Sequence, residues 1–289
     1  MVFLNQPYMK PRIPSILFAS VLFFYEAKSQ IDSSETKKDL VQFKIGTFYN
    51  SHLNYYGRTD SLRSSGVFPV AELWINETFY LSASPVFVNN ASVSFDYAGT
   101  VATAGFQFMS DDKKWLTNIY GLKPFYEKGT QLVQSALKGQ LAFSLSRFNK
   151  IINITGGADV KLSDKVDYGL TAGLDHIYRK QFADKSVLVV DPSAYVFAGT
   201  QQFTNTYYKQ SNFLLFPGVQ QQVSESVKNF NILSYEFSVP VVYAKGKLQV
   251  LLTPAYVIPQ NLVQVEGRPD LSERAKNMFY ATLGAKLTF

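Results

Sequence analysis

Residues 279–289 read FYATLGAKLTF and end the chain. Apolar side chains occupy every second position of this stretch: Phe279, Ala281, Leu283, Ala285, Leu287 and Phe289. The positions between them hold Tyr280, Thr282, Gly284, Lys286 and Thr288. Because successive side chains of a β-strand point to opposite faces, this alternation predicts a strand with one apolar and one polar face.

The same period of two recurs along the chain, and turn-forming residues separate the alternating segments. Short connections are predicted at 76–78, 111–113, 147–150 and 244–247, and longer ones at about 55–66, 123–131, 204–228 and 259–277. The predicted strands are 41–54, 67–75, 79–89, 93–109, 114–122, 132–147, 151–162, 166–178, 188–203, 229–243, 247–258 and 278–289. The sequence therefore predicts an all-β, antiparallel fold of twelve strands, with ten as the alternative.

Composition excludes several classes of protein. The 289 residues include no Cys, which excludes disulfides and thiolate metal ligands, and only two His. The formal charge is +6, but Lys and Arg are spread evenly, so we expect no nucleic-acid partner. No run of 18 apolar residues follows the N-terminal region, which excludes a helical membrane protein.

Residues 1–29 have the pattern of a cleaved secretory signal peptide. Lys10 and Arg12 precede the apolar stretch 13–25, and Ala27 and Ser29 are small residues suited to cleavage. An uncleaved anchor or a buried helix is the alternative, and either Met1 or Met9 is the start. We expect residues 30–289 to form a single domain.

Two architectures fit alternating strands of this kind. In a soluble sandwich or barrel the apolar face points inward, whereas in a transmembrane barrel it meets lipid. The polar face here contains charged residues beside Gly and Ser, and the chain ends on a strand. Aromatic residues near strand ends are expected to form girdles at the membrane interfaces: Phe79, Tyr80, Tyr243, Tyr256, Phe279 and Tyr280. These features favour an antiparallel transmembrane β-barrel.

Residues 280–289 resemble the C-terminal strand of bacterial outer-membrane β-barrels. The resemblance implies an integral outer-membrane protein of a Gram-negative cell, in contact with lipid and lipopolysaccharide. It also implies that Tyr280, Leu283, Leu287 and Phe289 form the signal recognised by the barrel-assembly machinery. Short turns would be periplasmic and longer loops external, although the short connection 163–165 would also have to be external.

The polar face defines a predicted lumen. Strand parity assigns eight charged residues to it: Lys44, Glu72, Lys138, Asp159, Lys161, Asp175, Glu236 and Lys286. Four cations against four anions predict no strong charge selectivity. These residues either line a permeation path or pair with one another in a closed interior. In loop 204–228, Phe213, Leu214, Leu215 and Phe216 form an apolar patch that would constrict the mouth, bind an apolar ligand, cap the barrel or contact lipopolysaccharide.

Catalytic and metal sites have weak support in the sequence. On a regular strand Ser51 and His52 face opposite sides and cannot pair directly, and the same holds for Asp175 and His176. We expect no cofactor and no metal. The predicted function is a passive channel or a small-solute binding and transport protein. The alternatives are a structural or interaction subunit of an envelope or secretion assembly, and an outer-membrane hydrolase that uses His52 or His176.

Overall fold

The chain forms an all-β structure in a computed structural model, which describes residues 40–59, 63–127, 137–202, 229–262 and 275–289. Seventeen strands are present in these ranges. In chain order they are β1 (Val41–Asn50), β2 (Asn54–Tyr55), β3 (Arg58–Thr59), β4 (Ser65–Ile75), β5 (Phe79–Asn89), β6 (Asp96–Met109), β7 (Trp115–Tyr126), β8 (Gly139–Arg147), β9 (Asn153–Leu162), β10 (Val166–Asp175), β11 (Tyr178–Gln181), β12 (Val187–Val190), β13 (Ser193–Gly199), β14 (Asn231–Ser238), β15 (Val241–Lys245), β16 (Leu248–Pro259) and β17 (Met278–Thr288).

Fifteen of these strands form one antiparallel sheet that closes on itself. Strand β1 pairs with β4 on one side and with the last strand, β17, on the other, while β17 also pairs with β16. Three strands of the wall are interrupted, and each consists of two consecutive segments. The segments are β10 and β11, β12 and β13, and β14 and β15. The wall therefore has twelve strands, which confirms the predicted fold class and strand number.

The three interrupted strands are neighbours, and their interruptions lie side by side. The backbone N–H of His176 donates to the Pro192 carbonyl at 3.1 Å, and that of Asp191 donates to the Pro240 carbonyl at 2.9 Å. Proline has no N–H to donate to a β-ladder. The prolines that follow Asp191 and Val239 therefore explain why two of these strands break.

At one end of the barrel, all connections between consecutive strands of the wall are short. The connections 76–78, 110–114, 148–152, 182–186 and 246–247 share this end, which we call the turn end. The N–H of Phe289 donates to the Phe43 carbonyl at this end. At the opposite end, which we call the loop end, β1, β5, β7, β9, β13 and β16 end and β4, β6, β8, β10, β14 and β17 begin.

The two faces of the wall have opposite character. Large apolar side chains on the outer face are exposed, as shown by Phe143 at 43%, Leu170 at 51% and Leu283 at 53%. Charged side chains on the inner face are buried, and Lys44 is only 2% exposed. A soluble protein has the reverse arrangement, whereas a transmembrane β-barrel has an apolar outer band. Within the described residues, no helix is long and apolar enough to cross a membrane.

Several predicted details were wrong. Strand β7 continues to Tyr126, beyond the predicted limit of 122, and β1 ends at Asn50 rather than at residue 54. Tyr80 and Tyr280 do not belong to an outer girdle. The Tyr80 hydroxyl donates to Asn118 inside the barrel, and Tyr280 is 4% exposed on the inner face. Parity explains both cases, because each Tyr follows an outward-facing Phe and must point inward.

Candidate functional site: the barrel interior

The turn-end half of the interior holds a network of two lysines, a glutamate and a tryptophan. Glu72 accepts from the Lys286 ammonium at 3.4 Å and from Trp74 Nε1 at 2.9 Å. The Lys44 ammonium lies over the Trp74 ring, 4.4 Å from its centroid. Backbone register explains the contacts, since Lys44 is paired with Glu72 across β1 and β4. The structure thus brings together three of the predicted interior residues.

A second ion pair lies in the loop-end half. Lys161 and Asp159 are two residues apart on β9, so both face inward, and their side chains form an ion pair. Their side chains are only 6% and 11% exposed. The Lys161 ammonium also lies over the Tyr56 ring, 5.6 Å from its centroid. Desolvation makes such a pair sensitive to the loss of either partner.

The other predicted interior residues have different surroundings. Asp175 is 3% exposed and accepts from the Asn153 amide. Glu236 lies between the exposed Tyr235 and Phe237 on β14, which places it on the inner face. Lys138 is not in the interior: its side chain is 66% exposed and pairs with Asp164 at 3.0 Å. Strand β8 begins only at Gly139, so strand parity does not apply to the residue before it. The inner face therefore holds seven of the eight predicted residues.

A hairpin inside the barrel, formed by β2 and β3, is the main feature that the sequence did not predict. Asn54 pairs with Thr59 and Tyr55 with Arg58, so Tyr56 and Gly57 form a two-residue turn. Both turn residues have positive φ, 53° and 76°, as a type I′ turn requires. A Cβ atom on Gly57 would lie 3.0 Å from side-chain atoms of Pro259. The positive φ and this close approach both favour glycine at the position.

The hairpin crosses the lumen. It follows β1, yet the Tyr56 ring is 5.4 Å from the ring of Phe197 on β13 and also contacts Lys161 on β9. Strand β9 is six strands away from β1 in the ring of twelve, which places it on the opposite wall. The tip of the hairpin therefore reaches from one wall of the barrel to the other.

Arg58 fastens the hairpin to the part of the wall formed by β13, β14 and β16, at the loop end. Its guanidinium is 2% exposed and donates to the carbonyls of Leu233 and Gln260 and to Gln201 Oε1, at 3.2, 3.1 and 2.8 Å. Arginine suits this position because its planar fork supplies five donors. The sequence analysis placed residues 55–66 in a long loop. Tyr56-Gly57 was the available signal, since a Gly in a two-residue connection is typical of a hairpin turn.

The charge of the interior differs from the predicted balance. Arg58 adds a buried cation, while Asp167 at 1% exposure and Asp191 add anions. Asp167 accepts from the Thr200 hydroxyl and from the Gln202 N–H, both at 2.6 Å. The predicted set lacks Arg58 because residues 55–66 are predicted as a loop, and lacks Asp191 because the predicted strand 188–203 continues through an interruption. Asp167 has the parity of Asp175 on β10, so strand parity could have identified it.

The expectation that Ser51 and His52 cannot pair directly is wrong. The Ser51 hydroxyl and His52 Nδ1 lie 3.3 Å apart, because β1 ends at Asn50 and the alternation stops there. The same hydroxyl accepts the backbone N–H of Ala281 at 2.9 Å. His176 is exposed and its Nδ1 contacts the Ile151 carbonyl, so it points away from the buried Asp175 as expected. Within the described ranges, no group of three or more His, Cys, Asp or Glu could hold a metal ion.

The predicted apolar loop patch and the predicted C-terminal assembly signal are the remaining sites. Phe213, Leu214, Leu215 and Phe216 lie outside the described residues. In the C-terminal strand, Leu283, Leu287 and Phe289 are exposed on the outer face, whereas Tyr280 is buried on the inner face. The four residues of the predicted assembly signal therefore lie on two faces of β17.

No protein-family model and no curated protein sequence matches the chain. Among solved structures, the KdgM porin has a TM-score of 0.49 and 8% sequence identity, covering 85% of this chain and 99% of that one. The NanC porin has a TM-score of 0.45 and 11% identity, covering 85% and 98%. An outer membrane channel from Pseudomonas putida F1 has a TM-score of 0.45 and 9% identity, covering 90% and 100%. At these values the likeness transfers no ligand and no residue role, but the closed barrel with its apolar exterior has the architecture that the last strand predicts.

Proposed function

We propose that the protein is a passive outer-membrane channel for small hydrophilic solutes, and that the hairpin of residues 51–59 constricts it. One observation carries the proposal: a closed barrel with an apolar exterior has charged and polar side chains inside, and a hairpin fastened by Arg58 crosses that interior. A polar lumen provides hydrogen-bonding groups for water and solutes that the lipid phase lacks.

Seven interior residues would hydrate and guide a solute along the path: Lys44, Glu72, Asp159, Lys161, Asp175, Glu236 and Lys286. Their pairing would keep the passage narrow and its net charge small. We further propose that residues 1–29 direct export and that the C-terminal strand engages the assembly machinery. The turn end would then face the periplasm and the loop end the outside.

Planar-bilayer conductance of refolded residues 30–289 tests the channel directly, with a heat-modifiable gel shift as the check of folding. We expect stable, discrete openings. Reversal of charge at Lys161 and at Glu236 should then change the ion preference in opposite directions, because the two positions differ in sign. A folded barrel that inserts but never opens would contradict the channel.

A structural or interaction subunit is the second candidate, and burial of the interior charges favours it. Lys161 and Lys286 are each only 5% exposed, as expected for an interior closed by ion pairs. On this alternative the loops would form the interface with a partner. Silent but correctly folded barrels that assemble into a larger complex in the native envelope would support it over the channel.

A further inference from the structure

Polar side chains line the inner face at the level where three neighbouring strands are interrupted. Backbone register places Asn153, Asp175, Ser193 and Ser238 in one row across β9, β10, β13 and β14. Asp191 lies at the interruption between β12 and β13, next to this row. Because register partners on adjacent strands face the same side, these oxygen-bearing groups converge on one patch of the interior.

Two acidic residues, Asp175 and Asp191, are neighbours in this patch. Ser193, two residues after Asp191, is the register partner of Asp175, and the N–H of His176 donates to the Pro192 carbonyl. Asp175 is 3% exposed. Within the part of the chain that the structure describes, no Lys or Arg forms an ion pair with either carboxylate. Two like charges held this close away from water require a compensating positive charge.

Buried oxygen atoms without a hydrogen-bond partner also lie at the level of the strand interruptions. Among the described residues, four buried side-chain oxygens have no hydrogen-bond partner, and three of them are Asp175 Oδ1, Asp191 Oδ1 and Thr253 Oγ1. Thr253 is neutral, 3% exposed and lies on β16. The N–H of Val239 donates to the carbonyl of Pro254, the next residue, so Thr253 borders the interruption of the β14–β15 strand. Buried polar atoms without partners indicate a bound ion or water.

We propose that this patch is a divalent-cation site in which the Asp175 and Asp191 carboxylates bind Ca²⁺. Its carboxylates and hydroxyls supply oxygen atoms, which are the ligands that Ca²⁺ accepts in flexible arrangements, and the Asn153 amide orients Asp175 by donating to its Oδ2. Two carboxylates balance the charge of one divalent ion. A proton shared by the pair would compensate one charge only.

This site is independent of the channel function, and calorimetric titration tests it without any measurement of conductance. Refolded residues 30–289 are freed of metal with EDTA, dialysed, and titrated with CaCl₂. We expect one Ca²⁺ per barrel, and we expect Asp175→Asn and Asp191→Asn each to weaken binding about tenfold or more. Asp112→Asn, which removes an exposed carboxylate from a turn, is the matched control and should bind as the original protein does.

The asparagine variants keep the shape of the side chain, and the heat-modifiable gel shift verifies that each has folded. A second measurement uses urea: Ca²⁺ should raise the unfolding midpoint of the original barrel and of Asp112→Asn, but not that of the double variant. The proposal is overturned if the original barrel binds no Ca²⁺, or if the double variant binds it with unchanged affinity.

Discussion

The outer and inner faces of the barrel are built by the same strands, yet different constraints govern them. The outer face is a continuous apolar surface on which one large apolar side chain resembles another, as with Phe143 and Leu170. Each side chain on the inner face has a particular neighbour, as Lys161 has Asp159 and Arg58 has Gln201. The outer face therefore needs only a residue class, while the inner face needs specific residues.

Substitutions should therefore destabilise the barrel for different reasons on the two faces. An outward position should tolerate any apolar residue and reject charge, because its environment is lipid. An inward position should tolerate a substitution only if its partner changes too, because a buried polar group without its partner is destabilising.

Lys161→Met should destabilise the barrel the most, by about 3–5 kcal/mol, because it leaves the Asp159 carboxylate buried without its cation. Urea unfolding in detergent or lipid measures the effect. Asp159→Asn/Lys161→Met removes both charges and should recover much of the loss. Lys138→Met, which breaks the exposed pair with Asp164, is the matched control and should change stability by no more than about 1 kcal/mol. Equal losses at both lysines would refute the contrast between interior and rim.

Phe143→Arg should destabilise by about 2–4 kcal/mol, because it places a charge on the lipid face at the middle of β8. Phe143→Leu should have a much smaller effect, since the side chain stays apolar. Both variants are compared by urea unfolding in lipid vesicles. If Phe143→Arg had the same unfolding free energy as the original protein, this face would not contact the membrane core.

Gly284→Ala tests packing on the inner face, where a Cβ atom would lie 2.0 Å from Phe48 Cδ1. Overpacking of this kind destabilises by about 1–3 kcal/mol. Phe48→Ala removes the obstructing ring, so the alanine at 284 should be far less harmful in the double variant. A double-mutant cycle on unfolding free energies measures this coupling, and purely additive effects would argue against the contact.

Asp184→Asn should have the smallest effect, because this turn carboxylate is exposed and belongs to neither face. Hydrogen bonds from Lys245 and Ser186 hold the pKa of Asp184 below its usual value of 3.8. Its contribution is therefore complete above pH 3.8 and is lost as the pH falls through the lowered pKa. Urea midpoints of the original protein and the variant should differ slightly at pH 7 and converge in strong acid. A difference between the two urea midpoints that grows as the pH falls would contradict a lowered pKa of Asp184.

The outer face explains how much of the fold could be predicted from sequence. Alternation in residues 278–288 and in comparable segments specifies strands, their number and their lipid-facing side, because lipid imposes one rule on every outward position. The interior is less predictable because it depends on non-local contacts. Nothing in the local sequence of Arg58 indicates that Gln201 and Leu233 will surround it. Alternation also stops wherever a strand breaks, which is why Asp191 and the contact between Ser51 and His52 were missed.

Single-channel conductance with and without an anchored hairpin tests whether the hairpin constricts the channel. Arg58→Ala removes the donors that fasten the hairpin, and Tyr56→Ala removes its contact with the far wall. Lys138→Ala takes away an exposed cation near the same end and serves as the control. The account predicts small discrete openings in the original barrel, larger or more frequent openings in both hairpin variants, and no change in the control. Unchanged conductance in folded hairpin variants would contradict it, since the hairpin would then not constrict the path.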